Sequence, residues 1–477
     1  MNIKDKAIRG VKWTSLSSIT VAVCQIVQLA ILARYIDPQG LGLIAISTVV
    51  IGFCNLFMDM GISNAVIHKR EVTKEQFSCL FTLNIIFGVF LTLLVYFSSN
   101  IISLFFNEPA LSNILGILAI TFFISSVGNL HRAILQKELR FNTLAKIEIF
   151  STVSSLILTI VLVLLNYDIY SIVYGAILKV LLQNFIIFFK ERALFKPEIK
   201  FSFYEVRDFL SFGMFQLGER SINYFSSQFD TIIIGKLLGA EVLGVYSVVK
   251  QLCQKPFQIL NPVINRVSFP VLAKFQDDKR QLSDIFIKVI RLVTISIIPF
   301  YSILALSSYE ILEIYLGPGW GEHKSLLIGL CVVNALNVFG NPVGSLQLAK
   351  GRADLGFYIN LLMSLILLPS LYISAHYSLI LVVITIIFIK LISILPIWRF
   401  VILPLSGIRF IKYISPLIST FLVNVSLVLF LYSSFEDMNV EIYLLVIVKS
   451  ALLLLLLLVS YVSLYPDVRS KLIKRGK

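Results

Sequence analysis

Charged residues are scarce in this chain, and so are cysteine and histidine. Only 14% of the 477 residues are Asp, Glu, Lys or Arg, whereas 57% are hydrophobic. A water-soluble fold of this length cannot bury so much apolar surface, so the composition excludes that class and requires a lipid bilayer. The five cysteines fall in or beside apolar stretches without paired spacing, and the four histidines are scattered. We therefore expect no disulfide framework, no metal site and no cofactor.

Long polar segments are also scarce, and we do not expect a cleavable leader. The first apolar run has about the length of a membrane span and lacks an A-x-A site, so we expect an uncleaved first span. The longest segment on the predicted outer side, about 307–324, is too short to fold as a domain of its own. The sequence therefore predicts no catalytic residues and no enzymatic activity.

Fourteen apolar stretches fill most of the chain, each near the roughly 20 residues that a helix needs to cross a bilayer. They are continuous, whereas the strands of a membrane barrel alternate over about 10 residues. The predicted spans lie near 12–33, 40–60, 77–99, 110–130, 147–166, 169–189, 208–234, 240–262, 285–306, 325–348, 355–373, 378–398, 410–432 and 442–464. The predicted fold class is an all-α polytopic membrane protein with about 14 transmembrane helices.

The net charge of +14 is distributed unevenly, because basic residues collect in every second gap between the apolar stretches. Examples from successive basic segments are Lys4, Lys69, Arg70, Arg132, Arg140, Arg192, Lys196, Arg280, Arg352, Arg399 and Arg475. Cytoplasmic loops carry such an excess of Lys and Arg, so both termini are predicted to be cytoplasmic. The pattern is a topology signal, and nucleic acid is not an expected partner.

Two segments of the chain are related by a shift of 202 residues. Residues 34–42 (RYIDPQGLG) align without a gap with residues 236–244 (KLLGAEVLG). Because six spans separate them, the two halves are predicted to be parallel and related by an axis along the membrane normal. The predicted organisation is an N-terminal six-helix lobe 1–189, a cytoplasmic linker 190–207, a second six-helix lobe 208–400, and two additional helices with a basic tail, 401–477.

Polar side chains form stripes on spans one, seven and eight, and the first two stripes match at the same shift. Buried polar residues in a bilayer are costly, so these stripes are expected to face a water-filled cavity between the lobes. The predicted substrate-binding residues are Arg220, Lys250, Lys255, Asn223, Gln254 and Gln28. The predicted coupling-ion residues are Glu219, Asp230 and Asp59, since a buried carboxylate could take up H⁺ or Na⁺.

Structural roles compete with this interpretation. Glu219, Arg220 and Lys250 would also suit a buried ion network that fixes helix register, and Ser, Thr and Gln often join membrane helices. Lys236 and its counterpart Arg34 are interpreted as anchors at the membrane interface, and Lys449 as snorkelling or lining a helix contact. Cations in a cavity favour an anionic substrate such as a phosphate.

Short motifs spread over residues 1–400 give the chain a family resemblance. Residues 133–141 (AILQKELRF) are similar to ALLQRxLxF, and 230–246 (DTIIIGKLLGAEVLGVY) to DxxIIGRxLG followed by LGxY. Residues 316–320 (LGPGW) and 348–352 (LAKGR) are similar to GxxW and AxGR. These motifs resemble the polysaccharide transporters of the multidrug/oligosaccharidyl-lipid/polysaccharide exporter superfamily. The chain departs from the pattern at Lys236, where the family has arginine.

The resemblance implies a flippase for undecaprenyl-diphosphate-linked oligosaccharides that works by alternating access, driven by an ion gradient. It implies location in the bacterial inner (cytoplasmic) membrane, membrane lipids as surroundings, a monomer, and a polysaccharide polymerase and chain-length regulator as candidate partners. Two alternatives remain open. A multidrug cation antiporter of the same superfamily should have a cavity dominated by carboxylates and aromatics. A polysaccharide polymerase or ligase should carry arginines or histidines in a sizeable outer loop.

Overall fold

The structure is a computed structural model that describes residues 3–59, 66, 72–191, 198–435 and 442–464. Part of the predicted topology signal lies outside the described residues: Lys69, Arg70, Arg192, Lys196 and the basic tail 465–477. The described residues form helices joined by short turns, and none of them is in a strand. They fall into two compact units, residues 1–247 and 248–477.

Among the described residues, the first unit contains eight long or short helices and the start of a ninth. They are α1 (Ile3–Tyr35), α2 (Pro38–Asp59), α3 (Lys74–Phe106), α4 (Ala110–Leu118), α5 (Ile120–Lys137), α6 (Phe141–Leu164), α7 (Tyr170–Glu191), α8 (Phe203–Leu237) and α9 (Gly239–Lys274). The ninth helix continues into the second unit. Helices α4 and α5 follow each other along one span, with a break at Ala119.

In the described part of the second unit, the rest of α9 is followed by eight further helices. They are α10 (Lys279–Leu306), α11 (Ser308–Tyr315), α12 (Lys324–Ala349), α13 (Ala353–Ala375), α14 (Leu379–Ile397), α15 (Leu403–Ser406), α16 (Phe410–Phe435) and α17 (Ile442–Leu464). A 3₁₀ turn, Trp320–His323, precedes α12, and a π-helical turn, Trp398–Ile402, joins α14 to α15.

The predicted all-α polytopic fold class is confirmed. Twelve stretches within the described residues are long and apolar enough to cross a membrane. Helices α8 and α9, of 35 and 36 residues, cover predicted spans seven and eight, and they complete the set of fourteen. The lobe boundaries predicted from the repeat stay a prediction. The two units are defined by how compactly their residues pack, which is a different criterion from the repeat and does not test it.

Large apolar side chains cover the outer surface of both units. Leu104 on α3 is 76% exposed and Ile411 on α16 is 78% exposed. Many other leucine, isoleucine and phenylalanine side chains on these helices are similarly open. Lipid is the solvent that would cover such a surface, and helices satisfy their own backbone groups inside it.

Short polar side chains join the helices of the first unit. Asn84 on α3 donates to the carbonyl of Ser126 on α5 at 3.2 Å, and Ser155 on α6 donates to the carbonyl of Gly175 on α7 at 2.7 Å. Thr92 donates to the carbonyl of Ala119, at the break between α4 and α5, at 3.1 Å. Small polar residues of this kind let membrane helices approach closely and contribute about 0.6–2 kcal/mol per hydrogen bond.

Candidate functional site

The first unit holds six of the nine predicted site residues, and the structure describes the side chains of four of them. Arg220 and Asn223 on α8 are exposed, and Gln28 on α1 and Asp230 on α8 are half-buried. Asp230 already has defined partners: its carboxylate accepts a hydrogen bond from the Tyr246 hydroxyl at 2.5 Å and from the backbone N–H of Thr231 at 2.8 Å. These contacts link the end of α8 to the start of α9.

The second unit holds three more predicted residues on α9. Lys250, Gln254 and Lys255 are each half-buried. The side chains of Glu219 and Asp59 are outside the described part of the structure. The backbone of Glu219 lies within α8, and Asp59 is the last residue of α2. The convergence of all nine residues on one cavity stays a prediction.

A polar cavity lies inside the first unit, between helices α2, α5 and α7. Its volume is about 410 Å³. The lining residues are Asn55 and Met58 of α2, Ser125, Asn129, Arg132, Ala133 and Gln136 of α5, and Val180, Gln183 and Asn184 of α7. Five of the ten are amides and one is a cation, and none of the ten is a carboxylate. The cavity therefore offers many neutral hydrogen-bonding groups around one guanidinium.

Close contact between α5 and α7 shapes one wall of this cavity. A Cβ atom on Gly128 would lie only 2.2 Å from Oδ1 of Asn184 and 2.8 Å from its Cα. Glycine at this position lets α7 approach α5, as small residues do in membrane helix pairs. The Asn184 amide donates to the carbonyl of Val180 at 2.8 Å, which holds the side chain along its own helix.

Charged residues beside the cavity extend its polarity toward α1 and α6. The Ser17 hydroxyl of α1 donates to Oε2 of Glu148 on α6 at 2.7 Å. Lys179 on α7 interacts electrostatically with both Glu148 and Arg132. This group supplies two cations against one carboxylate, so the local balance of charge favours an anion.

A second cavity of about 260 Å³ lies next to the first and is lined by the same three helices and by Leu118 of α4. The two cavities share Asn55, Ser125 and Val180. Ser47, Thr48 and Thr121 add hydroxyl groups, and most other lining residues are aliphatic. These two adjacent cavities, here termed the passage, are rich in amides at one end and largely apolar at the other.

Sequence reasoning missed this passage. Ser125, Asn129, Arg132 and Gln136 follow one another on α5 at spacings of four, three and four residues, which places them on one face of a helix. Arg132 was counted only as part of the basic pattern between spans, and Gln136 only as part of a motif. A search for polar stripes on span four, as on spans one and seven, would have found them.

Comparison with known proteins shows where the chain belongs. Residues 31–325, more than half of the chain, match the family described as polysaccharide biosynthesis protein. The chain is 31% identical over 481 residues to the teichuronic acid biosynthesis protein TuaB of Bacillus subtilis (strain 168), covering 100% of this chain and 99% of that protein. It is 30% identical over 376 residues to the lipopolysaccharide biosynthesis protein WzxC of Escherichia coli (strain K12), covering 79% and 76%.

A solved structure shares the fold. The lipid II flippase MurJ, in an inward closed conformation, matches with a TM-score of 0.76 at 14% identity, covering 96% of this chain and 99% of that chain. At this level of identity the likeness concerns the fold alone. The family match and the two relatives bear out the resemblance found in the motifs: the chain is a member of the polysaccharide biosynthesis protein family of membrane transporters.

Proposed function

We propose that the chain is a flippase that moves undecaprenyl-diphosphate-linked oligosaccharide repeat units across the bacterial cytoplasmic membrane. In this proposal it works by alternating access and serves the synthesis of a surface polysaccharide. Relatives named for teichuronic acid and lipopolysaccharide biosynthesis support the substrate class. The multi-pass helical architecture supports a transporter.

The polar passage of the first unit is the observation that carries the proposal. Arg132 can hold a diphosphate through a forked pair of hydrogen bonds, and a guanidinium keeps its charge in a partly dry cavity. The surrounding amides of Asn55, Asn129, Gln183 and Asn184 supply both donors and acceptors, which suits the hydroxyl groups of a sugar. Neutral amides bind many sugars without demanding one charge pattern.

The competing function, export of cationic drugs, fits this passage less well. A site for organic cations needs carboxylates, and the ten residues that line the polar cavity include an arginine and no Asp or Glu. A polymerase or ligase needs catalytic groups in a sizeable outer loop, whereas the longest segment on the predicted outer side, about 307–324, is short. We therefore propose a transporter without enzymatic activity.

Energy coupling and orientation are part of the same proposal. Both termini lie in the cytoplasm, as the distribution of basic residues indicates. Transport is coupled to H⁺ or Na⁺, with Asp230, Glu219 and Asp59 as candidate carboxylates and Arg220 and Lys250 as further phosphate ligands. The protein acts as a monomer beside a polysaccharide polymerase and chain-length regulator.

Deletion of the gene followed by lipid analysis tests the function. The deletion strain should lose its surface polysaccharide and accumulate undecaprenyl-diphosphate-linked repeat units, measured by mass spectrometry of extracted lipids. The wild-type gene should reverse both changes. Normal surface polysaccharide together with new sensitivity to cationic drugs would instead identify a drug antiporter.

A further inference from the structure

Two glycines at the predicted outer end of the first unit pack reciprocally against backbone. A Cβ atom on Gly42 would lie 1.8 Å from the carbonyl oxygen of Ala240, and a Cβ atom on Gly244 would lie 1.7 Å from the carbonyl oxygen of Pro38. Both obstacles are main-chain atoms, so no side-chain rotation can make room. The starts of α2 and α9 can touch in this way only with glycine at both positions.

The residues of this contact are related by the internal repeat of the sequence. Shifting Gly42 by 202 residues gives Gly244, and the same shift takes Pro38 to Ala240. The two contacts are therefore copies of each other, which requires a local two-fold axis between the paired turns. An axis of this kind is what two parallel repeats have at their meeting point.

Further contacts join the two repeats on both sides of the glycines. The Lys236 ammonium at the end of α8 donates to the carbonyl of Phe105 on α3 and lies 5.0 Å from the centre of the Phe105 ring. Ten residues along α2 from Gly42, Gly52 receives Tyr224 of α8, whose hydroxyl donates to the carbonyl of Val49 at 2.9 Å. Ten helical residues span about 15 Å, so α2 and α8 are joined over roughly half a bilayer.

We propose that Gly42 and Gly244 form the outer gate of the transporter and that Lys236 is the latch that holds it shut. The proposal rests on the proposed transport function, because a gate has a purpose only if the passage opens alternately to the two sides. In the conformation described, the gate is closed. It opens when the two turns move apart in the direction perpendicular to their shared two-fold axis.

The chemistry of the contact suits a gate that must open repeatedly. Glycine against a carbonyl group forms weak Cα–H···O contacts, and at the two glycines only main-chain atoms meet. The closed state therefore depends on this close fit, on the Lys236 hydrogen bond and on the contact of Tyr224 with α2. A single added methyl group removes the fit while leaving the rest of both helices unchanged.

Thiol labelling from the outer side measures whether this gate is closed. All five cysteines are replaced by serine, and Thr48→Cys places one thiol in the passage, beyond the gate as seen from outside. A membrane-impermeant maleimide is then added to intact spheroplasts. The parent protein should label slowly, because an open minor state is typically populated at about 0.1–10%.

Gly42→Ala and Gly244→Ala should each raise the labelling rate by about tenfold, which the population of a minor open state allows. The reciprocal geometry demands similar increases from the two substitutions. Gly116→Ala is the matched control: a Cβ there would lie 3.6 Å from the Tyr96 ring, an ordinary contact, and labelling should stay slow.

Lys236→Gln adds no bulk, so it tests the gate even if the alanine variants fail to fold. It should raise labelling in the same direction by a smaller factor. The gate would be overturned if both alanine variants label at the parent rate, or if only one of them labels faster. If both alanine variants fail to fold, an unchanged labelling rate in Lys236→Gln would overturn it. Labelling needs no substrate, so the two proposals can fail separately. If the deletion strain accumulates no lipid-linked repeat units but the variants label as expected, the flippase function is rejected and the gate is still supported.

Discussion

At the scale of single residues, Arg132 has two roles that the sequence alone does not separate. It lies five residues before the end of α5, among the basic residues that set the predicted orientation. Its side chain also lines the polar cavity with Asn129 and Gln136. A basic residue at a span end is so common that topology alone would explain it. Its place in the cavity lining is the reason why we propose a ligand-binding role for it.

Replacing Arg132 should separate these two roles. We expect Arg132→Gln to reduce the export of surface polysaccharide by at least about tenfold, since a hydrogen bond to a charged group contributes about 1.5–3 kcal/mol. Arg132→Lys keeps the charge but loses the fork, so it should retain part of the activity. The measurement is polysaccharide per cell at equal protein level in the deletion strain.

Arg140→Gln is the matched control for the loss of a basic residue in the same segment. Arg140 is paired with Glu138 at 3.6 Å near the turn that follows α5, and it does not line the cavity. Its replacement should leave export unchanged. Equal losses in Arg132→Gln and Arg140→Gln would mean that topology, and not ligand binding, explains the effect.

At the scale of helices, α17 is fixed to the second unit by buried polar groups. Lys449 of α17 and Glu310 of α11 form an ion pair at 2.6 Å, and their side chains are only 6% and 9% exposed. Asn424 of α16 donates to the Tyr461 hydroxyl at 2.6 Å and accepts from Ser302 of α10 at 2.8 Å. The last two helices are therefore held by directional contacts in addition to apolar packing.

Breaking the Lys449–Glu310 pair on one side should destabilise the second unit. We expect Glu310→Gln or Lys449→Met to lower the free energy of unfolding by about 3–5 kcal/mol, because an unpaired charge stays buried. Glu310→Leu combined with Lys449→Met should recover most of the loss. The readout is the thermal unfolding midpoint of the purified protein in detergent.

Lys412→Gln is the control for an ion pair without burial. Lys412 and Asp284 are also close, at 2.8 Å, but their side chains are 52% and 54% exposed. Exposed pairs contribute about 0–1 kcal/mol, so this variant should unfold near the wild-type temperature. Similar midpoints for Glu310→Gln and Lys412→Gln would show that the buried pair contributes no more than an exposed one.

The sequence predicted the long helices well and the short ones poorly. Each span is a continuous apolar stretch, and that signal survives without knowledge of the tertiary fold. The 3₁₀ turn at Trp320–His323 depends instead on Glu313, whose Oε1 accepts from the N–H groups of Gly319 and Gly321 at 3.0 Å each. A contact of that kind is invisible to hydropathy.

The candidate site was predicted less completely than the fold, for a related reason. Periodicity identifies which residues share one face of a helix, but it does not say which faces meet. Both α8 and α5 carry a polar stripe, and the structure shows the α5 stripe lining the polar cavity, whereas part of the α8 stripe lies outside the described side chains. Lys449 was expected to snorkel or line a helix contact, and its partner Glu310 was not foreseen.

At the scale of the whole molecule, the repeat and the charge pattern describe one arrangement. The 202-residue shift predicted that residues 34–42 and 236–244 are equivalent, and the reciprocal glycine contact gives the two turns matching environments. The sequence indicated that the two turns are equivalent, but it did not indicate that they are in contact, because a repeat does not specify where its copies touch. The charge pattern then assigns these turns to the outer side.

The assigned orientation can be tested with single cysteines in a background from which the five native ones have been removed. Asp168 and Tyr377 lie in exposed turns on the predicted outer side, and Glu138 and Asp277 in exposed turns on the predicted cytoplasmic side. Asp168→Cys and Tyr377→Cys should react with an impermeant maleimide in intact cells. Glu138→Cys and Asp277→Cys should react only after permeabilisation. The reverse pattern would invert the molecule, placing the glycine gate on the cytoplasmic side and the amide-rich end of the passage outside.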